Sequence, residues 1–389
     1  MSIALEEALL ALENTSILSI FEEKTVPEDN QKFISIVFVN GLFDANQSNV
    51  EQLPPQVLFC PFNAVVSWLN GIFLYIPKNC NLSIPIHLVF KNDKDKPCYL
   101  RNTIIMEENS KLTIIEEYKS NSLSFYQEND THLLAEISAT KENHLPPETS
   151  ETKENYLPTE TLEEKETNIA TEIQLEKNAS LEYYKLQDEA LTTIHHANIS
   201  IQQKESSNST LFFADCGAKH ANVNLHVNLN EKHATCHVNG LYRLAHDTQY
   251  MNNSICINHS AAYGTSSMHF KGILDNHSKA EFIGKVYVHK NAQHTQAQQS
   301  NHNLLLSSKA GVTTKPELEI YADDVKCSHG ATVGQLNEDS IFYLRSRGIE
   351  EKDVLQILTS AFTNDIMNKI ENITIRYYLQ KCMDKYASL

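Results

Sequence analysis

Asn222-Val-Asn-Leu-His-Val-Asn-Leu229 is the stretch that decides the fold class. Val223, Leu225, Val227 and Leu229 take every second position, with polar residues between them. A period of two marks a strand with one face buried. Val286 and Val288 alternate in the same way downstream. Upstream, from Phe33 onward, short apolar runs alternate with turn-like polar residues, at Ile36–Val39, Ile72–Ile76, Ile86–Phe90 and Leu112–Glu116. Strands are expected to resume at Thr171 and run to Asp323. Long helical periods are missing from this region. Cys216, Cys236 and Cys256 are spaced by 20 residues. Coils of a parallel β-helix are of about that length, so this spacing predicts that the three thiols stack on successive rungs. Such a ladder reads either as small buried apolar residues or as a thiol relay.

Three segments break the pattern. Residues 1–32 begin with a short amphipathic helix, Ala4 to Leu12, and a polar link. Residues 140–151 and 152–163 form a tandem repeat rich in Glu, Thr and Pro, inside an expected inserted loop at 138–168. Such a composition cannot bury enough apolar surface to offset its ordering entropy; a docking motif is the alternative reading. Beyond residue 336 the chain turns helical. Asn337 can cap a helix that opens on Glu338 and Asp339, and Gly348 can close it. A second helix carries Val354, Leu355, Leu358, Ala361, Phe362 and Ile366 as one stripe. A third is expected from about Asn372 to Tyr386. The predicted organisation is a mainly β core over 33–336 and a C-terminal helical domain over 337–389. The stripe, Val354, Leu358 and Phe362 above all, either folds back on the β core or docks a partner.

Of the 389 residues 41% are apolar, enough for a buried core. There are 32 Lys and Arg against 49 Asp and Glu, a net charge of −17. So acidic a chain repels nucleic acid and anionic membrane, and neither is an expected partner. No apolar run approaches the ~20 residues of a membrane span, and no basic-then-apolar signal opens the sequence. A cytoplasmic protein is expected. The eight cysteines include no Cys-x-x-Cys pair, which fits reduced thiols rather than a disulfide framework.

No enzyme motif is present: no phosphate-binding Gly-x-x-x-x-Gly-Lys-Ser/Thr loop, no His-Glu-x-x-His, no Gly-x-Ser-x-Gly. Thirteen of the 17 histidines lie between His195 and His302. His195 and His196 have no thiol or carboxylate close by in sequence, and His237 should point away from Cys236 on a strand. Most are read as polar strand faces, because a metal site needs several convergent ligands.

The segment from Lys315 to Leu336 carries the chemistry. Its first half reads as a strand, with Leu318, Ile320 and Ala322 on one face and Glu317, Glu319 and Tyr321 on the other. Asp323 and Asp324 end it, as a turn cap or as an acid/base couple. Cys327 and His329 follow, two residues apart, so an extended chain projects both from one side. Thiolate and imidazole suit zinc, copper or iron–sulfur chemistry. One Cys and one His cannot complete a four-ligand site, so the remaining ligands must come from elsewhere, most naturally another chain. The bland alternative is a buried small Cys327 and a turn-capping His329.

The run from Glu317 to Ile349 resembles the C-terminal signature of the SufB/SufD family, scaffold proteins of the SUF iron–sulfur cluster assembly machine. Its Cys-Ser-His-Gly-Ala-Thr-Val-Gly version is closer to the SufD branch than to SufB. Gly240-Leu-Tyr242, Lys271-Gly-Ile-Leu-Asp275, Gln296-Ala-Gln-Gln-Ser-Asn-His-Asn-Leu-Leu-Leu306, Ile36-Val-Phe-Val-Asn-Gly-Leu-Phe43 and Ile76-Pro-Lys-Asn79 are similar to other parts of that family. The usual helical N-terminal region with its Asp-Glu-Asp-Trp-like motif is shortened or absent, and the only tryptophan, Trp68, sits elsewhere. The resemblance implies a right-handed parallel β-helix that pairs with SufB. It places Cys327 and His329 where a transient cluster is shared, and the C-terminal helices on the ATPase subunit SufC. It implies a scaffold and not an enzyme. Flavin binding and a homodimer in isolation stay open. An inert structural adaptor and a carbohydrate-acting β-helix protein are the competing classes.

Overall fold

The computed structural model describes residues 33–62, 70–92, 97–120 and 165–386. Two facing sheets make up a β-solenoid of about seven turns. The first holds β1 (Ile34–Val39), β2 (Leu42–Phe43), β5 (Ile86–Lys91), β7 (Lys111–Lys119), β9 (Ser180–Asp188), β11 (Asn208–Asp215), β13 (Thr235–Leu244), β15 (Thr265–Leu274), β17 (Gln296–Leu305) and β19 (Lys326–Gly334). The second holds β3 (Leu58–Phe62), β4 (Asn70–Ile76), β6 (Cys98–Met106), β8 (Lys165–Leu175), β10 (Thr193–Gln203), β12 (His220–Leu229), β14 (Tyr250–His259), β16 (Lys279–Val288) and β18 (Gly311–Ile320). Pairing is parallel except for β1 with β2 and β3 with β4. The expected mainly β solenoid with C-terminal helices is what the chain forms.

Alternation explains the core. Val223, Leu225, Val227 and Leu229 all point into the lumen and are buried. One apolar cluster runs through the solenoid from Ile34 to Ala310. At the turns Asn79, Asn109, Asn178, Ser206, His233, Tyr263 and His294 each adopt φ between 56° and 63°. Asn tolerates this left-handed conformation better than most residues. Each of these turns stacks on the one below. Asn178 and Asn109 donate amide hydrogen bonds of 2.9 Å down the column, and the rings of His233, Tyr263 and His294 continue it as a stack.

The predicted cysteine ladder does not form. Thr235 pairs with Thr265, that with Gln296, and that with Lys326, so one rung takes about thirty residues. Each rung carries two long strands and two turns, which a 20-residue coil cannot supply. Cys236 faces the lumen, stacked on Ser209 and Ser266. Cys256 sits on the outer face beside His226 and Lys285. Cys216 lies past the end of β11, against the C-terminal helices. β8 begins at Lys165, so residues 165–168 belong to a strand and not to the expected loop. The helix expected from Ala4 to Leu12, the tandem repeat and Trp68 lie outside the described residues.

Three helices follow the solenoid: α1 (Glu338–Ser346), α2 (Glu351–Met367) and α3 (Ile373–Asp384). Asn337 caps α1 by accepting from the Ser340 N–H at 2.9 Å. Gly348 closes it at φ 83°, with Gly348 N donating to Arg345 O and Ile349 N to Leu344 O. Asn372 caps α3 through the N–H groups of Thr374 and Ile375. Ile366, Met367, Ile375, Leu379 and Met383 pack against Ile115, Tyr184, Leu186, Phe212 and Leu241 on the outer face of the first sheet. Polar clamps rim this contact. Arg243 Nε donates to Tyr386 O at 2.8 Å, Lys271 Nζ to Phe362 O at 2.7 Å, and the Tyr378 hydroxyl to Glu117 at 2.8 Å.

Candidate functional site

The solenoid ends on β18 and β19, and nothing in the described chain covers them. Lys326 N donates to Thr295 O at 2.9 Å, so the even-numbered residues of β19 turn their backbone to β17. Successive residues of a strand alternate edges. The N–H and C=O groups of Cys327, His329, Ala331 and Val333 therefore line the free edge. Tyr321 N donates to Val288 O, so by the same parity the free edge of β18 shows Val312, Thr314, Leu318 and Ile320. Pro316 falls among them and brings no N–H, as suits an edge strand.

Register places the sequence-predicted pair. Cys327 pairs with Ala297 and His329 with Gln299, both of which are buried in the lumen. Cys327 and His329 thus point inward from the last rung, side by side, as their two-residue spacing predicted. Cys327 is half-buried against Val286, Val288, Ala297 and Ala322. Burial pushes its thiol up from the ordinary range. His329 is exposed because no rung lies above it. An added side chain at Gly330 would meet nothing within 4 Å, so a neighbouring backbone can approach there. Leu318 and Ile320 stack in register on Val286 and Val288, as the alternation required. The chain turns at Asp323 and Asp324. Asp324 Oδ2 meets His294 Nδ1 at 2.9 Å, which serves the turn column. Among the described residues no group of three or more His, Cys, Asp and Glu side chains is placed to hold a metal ion.

The C-terminal stripe divides between two faces. Val354 is 0% exposed, while Leu358 and Phe362 are half-buried. The Lys271 ammonium sits 4.5 Å over the Phe362 ring. The outward faces keep Phe342 (76% exposed), Tyr343, Leu355 and Ile357 in solvent. A groove of about 640 Å³ runs along α2 past Ile349, Asp353, Ile357 and Ala361.

A buried acid–base network inside the middle rungs had no clear sequence signal. Lys185 Nζ meets Asp215 Oδ1 at 2.9 Å, and both are buried. Glu116 accepts from the hydroxyls of Tyr118 and Tyr183 at 2.8 and 2.5 Å. His195 Nδ1 lies 2.6 Å from Glu189 Oε2, so this histidine does have a carboxylate partner, six residues upstream. Burial is the main influence lowering His195, and burial raises Glu116. Inward-facing charged positions on strands were the available signal, but they can be recognised only once strand parity is known. Of the other histidines between His195 and His302, six (His196, His220, His226, His237, His269 and His302) lie on outward strand positions as expected, whereas His259 is buried in the lumen and His233, His246, His277, His289 and His294 lie in turns and connections between strands. His237 faces outward, away from Cys236, and contacts Ser267 Oγ at 2.7 Å.

Residues 148–362 match the family described as SUF system FeS cluster assembly, SufBD core domain. An iron–sulfur cluster assembly SufBD family protein of Synechocystis sp. is 31% identical over 92% of this chain and 78% of its own length. The iron–sulfur cluster assembly protein SufD of Escherichia coli is 34% identical over 50% of this chain and 46% of its own. The chloroplastic protein ABCI7 of Arabidopsis thaliana is 34% identical over 51% of this chain and 42% of its own. Among the described residues no helix is long and apolar enough to cross a membrane.

Proposed function

The chain belongs to the SufB/SufD family of SUF-system iron–sulfur assembly proteins, and on that premise we propose that it is the SufD-like half of a SufB–SufC–SufD scaffold. The observation that carries this reading is the inward-facing Cys327 and His329 on an uncovered terminal rung. They form half of a site. A SufB-like subunit seated on β18 and β19 supplies the remaining ligands and covers the open end. The nascent cluster is the cargo of this site, held by imidazole and thiolate while it is built. Alone, the same edge supports a homodimer. The exposed faces of α1 and α2 dock a SufC-like ATPase. Nucleotide-driven closure of that ATPase shifts the population of closed and open interfaces and so gates entry of iron and sulfide. The chain acts as a cytoplasmic scaffold, with no reaction of its own.

Co-expression with SufB-like and SufC-like subunits tests this. The three should purify together, and His329→Ala should keep the complex but lower its iron and sulfide. Failure of the three chains to associate contradicts the assembly. An inert adaptor, the second reading, predicts full iron and sulfide in His329→Ala.

A further inference from the structure

Directly beneath His329, in register on β17, lies Gln299. Its side chain crosses the lumen and is 3% exposed. Nε2 donates to the Glu317 backbone oxygen on β18 at 3.2 Å, which fixes the orientation of the carboxamide. Its Oε1 is buried and has no hydrogen-bond partner. The opposite wall makes room for this oxygen: a Cβ on Gly284 would lie 2.9 Å from it. Leaving an amide oxygen buried without a partner is unfavourable, and that cost is relieved when a donor reaches it. On the open rung His329 stands directly above it in register, and either ring nitrogen can carry the N–H that this oxygen accepts. Histidines that bind metals almost always donate their second ring N–H to an oxygen, which sets the tautomer and the ring plane.

We propose that Gln299 is the positioning residue for His329: its free carboxamide oxygen accepts one ring N–H when the partner subunit closes the end, and turns the other ring nitrogen toward the cluster. This rests on the reading of Cys327 and His329 as the shared site, and it names what orients the imidazole there. Gln299 itself does not touch the cargo.

The test uses the three-subunit complex purified without oxygen, with iron retention measured against a graded chelator. Gln299→Met keeps the reach and bulk but removes the acceptor. It should lower iron affinity about tenfold or more, the usual cost of losing such an orienting partner. Gln299→Glu restores an oxygen at the same reach and should recover most of the iron. In the reduced cluster, nitrogen hyperfine coupling from ¹⁵N-histidine should weaken in Gln299→Met and return in Gln299→Glu, which a packing role alone does not explain. If Gln299→Met yields no complex, Gln299→Asn withdraws the oxygen while keeping the amide, with the same expectation. The proposal is overturned if Gln299→Met or Gln299→Asn holds iron and nitrogen coupling like the parent while His329→Ala loses iron. If His329→Ala also keeps its iron, the shared-site reading fails and takes this inference with it.

Discussion

Lys185 sits in the solenoid with its ammonium 2.9 Å from Asp215 and fully out of solvent. Removing one member of such a buried pair leaves an uncompensated charge and typically costs about 3–5 kcal/mol. Lys185→Met should lower stability to chemical denaturation by that amount, and Lys185→Met/Asp215→Leu should recover much of it. Gly240 is a second sensitive position. Its Cβ would fall 2.2 Å from the Phe270 ring, so Gly240→Ala should cost about 1–3 kcal/mol through overpacking. Glu117 gives the chain a pH dependence. Burial acts to raise its carboxyl, but the hydrogen bond and charge of His87, the charge of Lys119 and the Tyr378 hydroxyl outweigh it and hold it at about 2. The folded value is below the unfolded one. Its contribution is therefore complete above the ordinary carboxylate range and fades as pH falls toward about 2. Hydrogen exchange in α3 should accelerate over that interval, and Glu117→Gln should remove part of the pH dependence. That Cys327 and His329 share one face was legible from sequence because they sit two residues apart on one strand. That Gln299 lies beneath His329 was not, because thirty residues separate them and only the register joins them.

At the scale of elements, strands and caps followed local rules. The alternation at Val223–Leu229 and the caps at Asn337 and Asn372 needed no tertiary information. Asn372→Ala should destabilise α3 by about 1 kcal/mol, seen as fraying by hydrogen exchange with the β core unchanged. The rung length was misread because three cysteines happen to be evenly spaced, whereas the true repeat is set by two ten-residue strands and their turns. The α2 stripe was legible as apolar but not as to destination. Val354 is spent on packing, and the faces left open carry Leu355 and Ile357. On the proposed assembly, Leu355→Asp/Ile357→Asp should weaken capture of a SufC-like subunit severalfold at unchanged melting temperature. Unaltered capture would move the docking surface elsewhere.

For the whole molecule, the two ends of the solenoid differ. The N-terminal end closes with the antiparallel pairs β1–β2 and β3–β4, while the other stops on two parallel edge strands over a lumen that holds Gln299, Asn301 and Asn303 as well as Val286, Val288 and Ala297. Long uncovered edges are a hazard unless a partner takes them. Lys271, which contacts Phe362 and Asp365 on α2, lies in the row that continues through His302 to Thr332 on β19. On the proposed assembly the uncovered rung is half of an iron–sulfur site. The most direct measurement is iron and acid-labile sulfide per complex, purified without oxygen from Cys327→Ser/His329→Ala co-expressed with its partner subunits. Intact assembly with most of the iron and sulfide lost is the predicted result; intact assembly with parental iron and sulfide would contradict it.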